Sequence, residues 1–185
     1  GKITIPSEAN GYKVIGVGHG AFYNCEILDS VFIPNTVTYI GNEAFIGCKN
    51  LVSADLPEKL SSIGDGAFSN CTGLPAIIIP EGVITIGKSA FEDCYPVFAI
   101  LPKTITSIGS QALAFRPAYL VSYMENPVDV DQYMFERLTS STTILYIPKG
   151  TSAKYEAAGW TQFLKIKEID EKLPESRGDQ FYEKL

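Results

Sequence analysis

The chain has 185 residues, a formal net charge of −6, and 45% hydrophobic and 19% charged residues, which is the composition of an ordinary globular domain. Its acidic balance, without a lysine- or arginine-rich cluster, argues against nucleic acids and anionic membranes as partners. No apolar run approaches the length that a membrane-spanning helix needs, so we expect one domain that does not insert into a membrane.

A nine-residue phrase recurs through the first half of the chain. It reads VGHGAFYNC at 17–25, IGNEAFIGC at 40–48, IGDGAFSNC at 63–71 and IGKSAFEDC at 86–94, so that the copies are 23 residues apart. A fifth copy, IGSQALAF from Ile108, has Leu113 in place of the phenylalanine and Arg116 in place of the cysteine. A fixed period of this length predicts a solenoid, in which each coil buries its apolar side against its neighbours.

Each unit contains a short alternating stretch that predicts a strand. In the second unit Val31 and Ile33 point to one face while Phe32 points to the other, and a proline follows. Proline cannot donate to a strand ladder, so the chain turns away there. We expect parallel strands at residues 3–5, 31–33, 54–56, 77–79, 99–101 and 144–147.

The other side of each unit is predicted from its glycines and its Ala-Phe pair. Glycines at 18, 41, 64, 87 and 109 mark a bend, where we expect either a positive φ or a close approach of two backbones. The residues around each Ala-Phe pair are expected to form a short helical or 3₁₀ turn.

The C-terminal part departs from the repeat. After the irregular segment 124–143 come a last strand, ILYIP, and a helix, SAKYEAAG, with Ser152 placed to cap its start and Gly159 to end it. We expect Trp160 and Phe163 to cover the exposed end of the core. The predicted organisation is one solenoid over residues 1–169, with about five repeats and a capping region at 116–169, followed by a charged tail at 170–185.

The repeated phrase IP-x-x-V-x-x-IG-x-x-AF-x-x-C and the closing LYIPKG...Y...GW..F resemble the BspA-like leucine-rich repeat proteins, a bacterial surface and secreted family abundant in Bacteroidetes. The resemblance covers residues 3–169. It implies a right-handed, curved solenoid with parallel strands on its concave face, short turns opposite and a C-terminal helical cap. It also implies an extracellular or cell-surface role in adhesion or protein recognition, with no cofactor and no catalytic residues.

The outward side of the predicted strands is the strongest functional signal. Large apolar residues stand there where a solvent-facing row would be polar, and one carboxylate interrupts them. The candidate residues are Phe32, Asp55, Ile78, Phe98, Ile100 and Tyr146. Thr4 and Ser122 are placed in the same row, with Leu120 beside it. Such a surface is typical of protein-binding faces.

The apolar row also has plainer interpretations. Strands can carry apolar side chains on both faces, and self-association can cover them. If the row does bind a partner, that partner is expected to be a protein, such as a host extracellular-matrix or surface protein, or a glycan. A passive spacer within a larger surface protein is the alternative function.

The four cysteines fit the repeat better than they fit a chemical site. There is no C-x-x-C pair and the single histidine is His19. An enzyme with Cys25 as nucleophile and His19 as base is the chemical alternative, and the three sister cysteines without a histidine argue against it. We expect four unpaired thiols, because coils about 8–10 Å apart would hold them too far apart for disulfides.

Two short motifs complete the candidates. Asp129 and Asp131 offer carboxylates for calcium but lack the ligand count of a calcium-binding loop, so a solvated turn is the plainer interpretation. Arg177, Gly178 and Asp179 match an integrin-binding tripeptide, a match that needs structural context before it carries a function.

Overall fold

The computed structural model describes residues 1–138 and 142–169, which form a parallel β-solenoid of about seven turns. Each regular turn has three sides, namely a longer strand, a two-residue strand and a segment of tight turns. We call the three stacks that these sides build the long-strand row, the short-strand row and the turn row. Their inward side chains share one hydrophobic core.

The long-strand row contains the predicted strands, and two more. Its members are Lys2–Thr4, Ser30–Phe32, Ser53–Asp55, Ala76–Ile78, Phe98–Leu101, Tyr119–Ser122, Ile144–Pro148 and Lys165–Ile169. Most begin one residue earlier than predicted, because the last aliphatic residue before each proline has a carbonyl to which no proline N–H can correspond in the next coil. The strands at 119–122 and 165–169 were not predicted. All pairings within the row are parallel and in register.

The long-strand row is divided into a three-stranded and a five-stranded sheet between Asp55 and Ala76. Two flanking rungs are present, since the Val52 N–H donates to the Asp29 carbonyl at 2.8 Å and the Val97 N–H donates to the Pro75 carbonyl at 2.7 Å. At the equivalent position between them stands Pro75, which has no N–H to offer the Val52 carbonyl. This missing rung explains why the two sheets separate there.

The short-strand row was not predicted. It is a five-stranded parallel sheet of Gly16–Val17, Tyr39–Ile40, Ser62–Ile63, Thr85–Ile86 and Ser107–Ile108. The second residue of each strand is aliphatic and points into the core, while the first points outward. A two-residue strand is too short to show alternation, so the sequence pattern gave it no signal of its own.

The glycines that follow the short strands are required by close approach and not by a positive φ. A Cβ at Gly64 would lie 2.6 Å from the backbone nitrogen of Asn42, and one at Gly87 would lie 2.5 Å from that of Asp65. Real Cβ atoms do not approach backbone so closely, so each coil rests directly on the main chain of the coil before it.

The turn row comprises residues 18–25, 41–48, 64–71, 87–94, 109–116 and 131–138. In the described chain it contains no helix, so the helical or 3₁₀ prediction is wrong. Alternate N–H groups bond in two directions: the Cys48 N–H donates within its own turn to the Phe45 carbonyl at 3.1 Å, whereas the Phe45 N–H donates to the Ala67 carbonyl of the next coil at 2.8 Å. The alternation prevents a continuous helix and ties neighbouring coils together.

The alternation requires left-handed backbone at two positions in most copies. Glycine occupies several of them, including Gly47 at φ 70°, and asparagine or aspartate occupies others, including Asn70 at 59° and Asp93 at 54°. These residue types tolerate the left-handed region best. The positive φ that the sequence suggested for the bend glycines therefore occurs within the turns instead.

The segment 131–138, taken as irregular from the sequence, is a sixth member of the turn row. Met134 and Phe135 replace the Ala-Phe pair and Leu138 replaces the cysteine. The Met134 N–H donates to the Asp131 carbonyl and the Leu138 N–H to the Phe135 carbonyl, as in the regular copies. The spacing was present in the sequence, but every identifying residue type had changed.

A column of phenylalanine rings forms the centre of the core. Phe22, Phe45, Phe68 and Phe91 stack with centroids 5.0, 5.0 and 5.4 Å apart and planes within 10° of parallel. The last three rings are fully buried. Coils are therefore about 5 Å apart on the turn row as well as on the strand rows, and the spacing of 8–10 Å expected from helical packing is wrong.

The four thiols are unpaired, as predicted, but for a different reason from the one expected. The Cys48 thiol donates to the Phe22 carbonyl at 3.1 Å, and Cys71 and Cys94 repeat this bond to Phe45 and Phe68. Each thiol thus satisfies the carbonyl of the coil before it. Cys25 lies in the first coil and is half-buried, while the other three are buried.

The C-terminal end has only one short helix, Ser152–Ala157, so the predicted helical cap is reduced to six residues. The N-cap is Thr151, not Ser152, and its hydroxyl donates to the Pro148 carbonyl. Gly159 does follow the helix, at φ 86°. Trp160 is fully buried and contacts Tyr155, Phe135 and Phe163, so an aromatic cluster covers this end of the core as expected.

At the other end, the lengthened first unit forms an antiparallel hairpin of Glu8–Ala9 with Tyr12–Lys13. Asn10 and Gly11 turn the chain at φ 52° and 79°, which is the left-handed pair that a two-residue hairpin prefers. The extra residues therefore project from the first coil without disturbing the repeat.

Replacing Phe68 by alanine tests the ring column. Phe68 stacks on a ring at each side, so we expect the free energy of unfolding to fall by about 3–5 kcal/mol from lost transfer energy and the cavity left behind. Denaturant unfolding measures the change. Phe32→Ala is the matched control, since that ring is exposed and its loss should cost little; equal losses in the two variants would contradict the assignment of Phe68 to the core.

The thiol ladder predicts both reactivity and pH dependence. Burial raises the pKa of Cys48 to about 11 and that of Cys94 to about 12, from an ordinary value of 9.0, and raises the pKa of Cys71 as well. The stabilisation from holding these protons is fully present below pH 9 and is lost as the pH rises through the folded-state values. We therefore expect the free energy of unfolding to decrease above pH 9.

Thiol titration provides the second measurement for the ladder. At pH 8 a thiol reagent should modify the folded protein at Cys25 first, and the unfolded protein under non-reducing conditions should yield four thiols per chain. A yield of two or fewer would show that disulfides form and that the hydrogen-bonded ladder is incorrect.

Candidate functional site: the outward face of the long strands

The six predicted residues all belong to the outward side of the long-strand row, which we call the strand face. Pairing places Phe32 opposite Asp55 at the end that is nearer the N-terminus. Phe32 has 55% of its surface exposed, and Asp55 is exposed too. The seam beside Pro75 follows Asp55 and contains a cleft of about 150 Å³ lined by residues of both sheets.

Beyond the seam, the strand face becomes a second hydrophobic cluster, separate from the main core. Phe98, Val121 and Tyr146 form its buried centre, and Ile78 and Ile100 pack against them half-buried. Ile100 lies between Ile78 and Val121 in the register, and Val121 lies opposite Tyr146. The structure thus brings four of the six predicted residues together in one patch.

Burial within this cluster corrects one expectation. Phe98 and Tyr146 were predicted to face solvent, but they are only 8% and 5% exposed. Strands lie about 4.8 Å apart, so large outward side chains on neighbouring strands cover one another. Lys167 adds to this cover, with its ammonium 5.2 Å from the centre of the Tyr146 ring and a 3.2 Å hydrogen bond to the Tyr146 hydroxyl.

The strand at 119–122 corrects the placement of two further residues. Its Tyr119 pairs with Phe98, a step of 21 residues that shifts the alternation by comparison with the earlier copies. Leu120 and Ser122 consequently point inward and are fully buried, and the outward residues are Tyr119 and Val121. Thr4 does lie on the strand face, opposite Phe32. The sequence carried the signal for this strand in YLVS, but its spacing was irregular.

The inward residues at this strand have a structural role. The Tyr155 hydroxyl donates to the Met124 carbonyl at 2.9 Å and also bonds the Ser122 hydroxyl, and burial raises the pKa of Tyr155 well above its usual range. This buried network holds the short helix against the last coils.

The chemical alternatives receive no support from the geometry. His19 is exposed in the first coil and Cys25 is half-buried, while the sister thiols are buried, protonated and bonded to carbonyl oxygens. A reactive thiolate needs a lowered pKa, which is the opposite of what burial produces here. The arrangement of the cysteines therefore fits packing.

The acidic pair is likewise part of the scaffold. The Asp131 carboxylate accepts the N–H groups of Tyr133 and Met134 at 2.7 and 2.8 Å, which begins the sixth turn. Within residues 1–138 and 142–169 no group of three or more His, Cys, Asp or Glu side chains is placed to hold a metal ion. Nor does the described chain contain a helix long and apolar enough to cross a membrane. The Arg177-Gly178-Asp179 triplet lies outside the described residues.

Comparison with known proteins agrees with the architecture. A family model described as "BspA type Leucine rich repeat region" matches residues 2–119 in six copies. No protein of curated function matches the chain.

Solved structures with the same fold come from several bacteria. The T. pallidum leucine-rich repeat protein TpLRR is 24% identical with a TM-score of 0.72, over 90% of this chain and 86% of that one. A leucine-rich repeat protein from Bacteroides ovatus is 22% identical with a TM-score of 0.63, over 80% of this chain. The chain spans about half of that protein, 48% of its length. At these identities the likeness shows the fold alone.

The six-copy match covers most of the solenoid, and the parallel strands, the in-register core and the structural neighbours are all consistent with it. Solenoids of this class are typically non-catalytic and serve as protein-interaction or structural modules. The chain therefore belongs to the BspA-type leucine-rich repeat family.

Proposed function

We propose that this chain is an extracellular or cell-surface recognition module that binds a protein partner through its strand face. The observation that supports this most is Phe32, whose ring is half-exposed on a rigid sheet among the small polar neighbours Thr4, Ser30 and Ser53. An exposed aromatic ring with a fixed backbone is a typical anchor of protein interfaces, because its burial releases much apolar area at a small entropic cost.

The surroundings of Phe32 suit a contact of this kind. Asp55 stands opposite Phe32 and supplies a charge that orients a partner more than it adds affinity. Ile78 and Ile100, across the seam, extend the apolar surface and remain half-exposed. We expect the contact to begin at Phe32 and Asp55 and to reach this second patch, with Phe98 and Tyr146 supporting it from beneath.

The spacer remains the second candidate because of one specific observation. Phe98, Val121 and Tyr146 bury one another, so much of the apolar character that suggested a binding face is already accounted for within the chain. A passive module needs no partner for those residues. The exposed Phe32 is the feature that a spacer leaves without a role.

A double substitution, Phe32→Ser with Asp55→Lys, separates the two functions. Both side chains are exposed, so the solenoid should keep its circular dichroism and its unfolding midpoint. Binding is measured by surface plasmon resonance against a panel of purified extracellular-matrix and host-surface proteins. We expect the wild type to bind at least one of them and the double variant to bind it about tenfold more weakly or worse.

Tyr23→Ser is the matched control, since Tyr23 is a 56% exposed aromatic residue on the turn row, away from the strand face. It should bind as the wild type does. If the double variant and the control bind equally well, the strand face is not the site. If no protein on the panel binds the wild type, the spacer gains support.

A further inference from the structure

A groove runs across the coils on the outward side of the short-strand row, on a different face from the one discussed above. It has a volume of about 580 Å³ and extends over four successive coils. Its two walls are the outward residues of the short strands and the residues that follow the bend glycines. Its floor is formed by the bend glycines Gly41, Gly64, Gly87 and Gly109.

The depth of the groove is imposed by the fold. The bend glycines have no room for a Cβ, because the next backbone lies within 3 Å of where that atom would be. The glycines alone explain a channel of bare main chain, and they do not by themselves indicate a ligand. The indication comes from what lines the walls.

Two neighbouring rows of hydroxyl groups differ in their bonding. Thr38, Ser61 and Thr106 donate to main-chain carbonyls of the preceding coil and so have a structural role. One residue further on, Ser62, Thr85 and Ser107 turn their hydroxyls into the groove, where they make no hydrogen bond to any described residue. The groove therefore carries unengaged hydroxyls at a spacing of about 4.8 Å, the distance between neighbouring strands.

An aromatic ring closes one end of this row. The Tyr39 ring lies flat over Gly16, so closely that a Cβ at Gly16 would fall 2.1 Å from the ring's Cζ. The ring is 43% exposed and lines the groove. Glycine at this one position fixes the orientation of the ring, which leaves an apolar platform beside a line of hydroxyls.

The opposite wall is polar but balanced in charge. The Asn42 side-chain oxygen accepts the Asp65 N–H at 3.0 Å, and the Asp65 carboxylate accepts the Lys88 N–H at 2.7 Å. The second Asp65 oxygen and the Lys88 ammonium lie at the groove with opposite charges. A strongly charged polymer would meet one repulsive group for each attractive one.

We propose that this groove binds a linear, uncharged polysaccharide that lies across the coils with about one sugar unit per coil. A pyranose presents hydroxyls on its edge and C–H groups on its face, which match the hydroxyl row and the Tyr39 platform respectively. A polymer with a repeat similar to the coil spacing makes the same contact several times, and such contacts add by effective concentration. This site lies beyond the protein contact proposed for the strand face and is independent of it.

An extended peptide suits the groove less well. The backbone groups of the short strands are already paired with neighbouring coils, so they do not offer a free edge for strand addition. Apart from Tyr39, the walls provide no large apolar side chain that could anchor a peptide.

Affinity electrophoresis of the full chain in gels that contain a soluble polysaccharide tests the proposal. The probes are a β-1,4-glucan derivative, a β-1,3-glucan and an α-mannan as uncharged chains, with chondroitin sulfate as an anionic one. We expect at least one uncharged chain to retard the protein. Tyr39→Ala, and separately the triple variant Ser62→Ala, Thr85→Val, Ser107→Ala, should each weaken that binding about tenfold.

Two controls make the result specific. Tyr23→Ala removes an equally exposed aromatic residue from the turn row, and Thr4→Val removes an exposed hydroxyl from the strand face; both should bind as the wild type does. Circular dichroism confirms folding of every variant. Retardation by none of the uncharged chains, retardation by chondroitin sulfate alone, or equal binding by the groove variants and the controls would overturn the proposal.

Discussion

The direct contact between the backbones of successive coils is the constraint on which the rest of the structure depends. Gly64 and Gly87 each place their main chain against that of the preceding coil, with less than 3 Å available where a Cβ would be. That contact sets a rise of about 5 Å, and the same rise appears in the stacked phenylalanine rings. The turn row follows it too, since alternate N–H groups reach the next coil. A 23-residue period is the sequence form of this spacing.

Because the inward side chains are committed to the core, recognition is left to the two outward sheet faces. They have different chemistry. The strand face presents Phe32 and Asp55, then a self-covered apolar patch around Val121. The short-strand row presents Ser62, Thr85 and a fixed Tyr39 ring above bare backbone. One scaffold can therefore carry a protein contact and a separate carbohydrate contact, as proposed, without either disturbing the core.

The sequence predicted what repeats and missed what does not. Phe45 and Phe68 were assigned to the core because they recur in register, and both are fully buried. The strand at 119–122 and the turn at 131–138 were missed because a 21-residue step and the Met134-Phe135 pair break the pattern while keeping the shape. Alternation identified the outward row, but it could not show that Phe98 and Tyr146 bury each other, since that depends on contacts between neighbouring strands.

The most direct test of the stacked-backbone account compares one substitution at two equivalent positions. Gly87→Ala would place a methyl group against the Asp65 backbone, whereas at Gly18, in the first coil, a Cβ would meet no atom within 4 Å. Denaturant unfolding should show that Gly87→Ala lowers the free energy of unfolding by about 1–3 kcal/mol through overpacking, while Gly18→Ala changes it by no more than about 0.5 kcal/mol. Equal effects at the two positions would contradict the account.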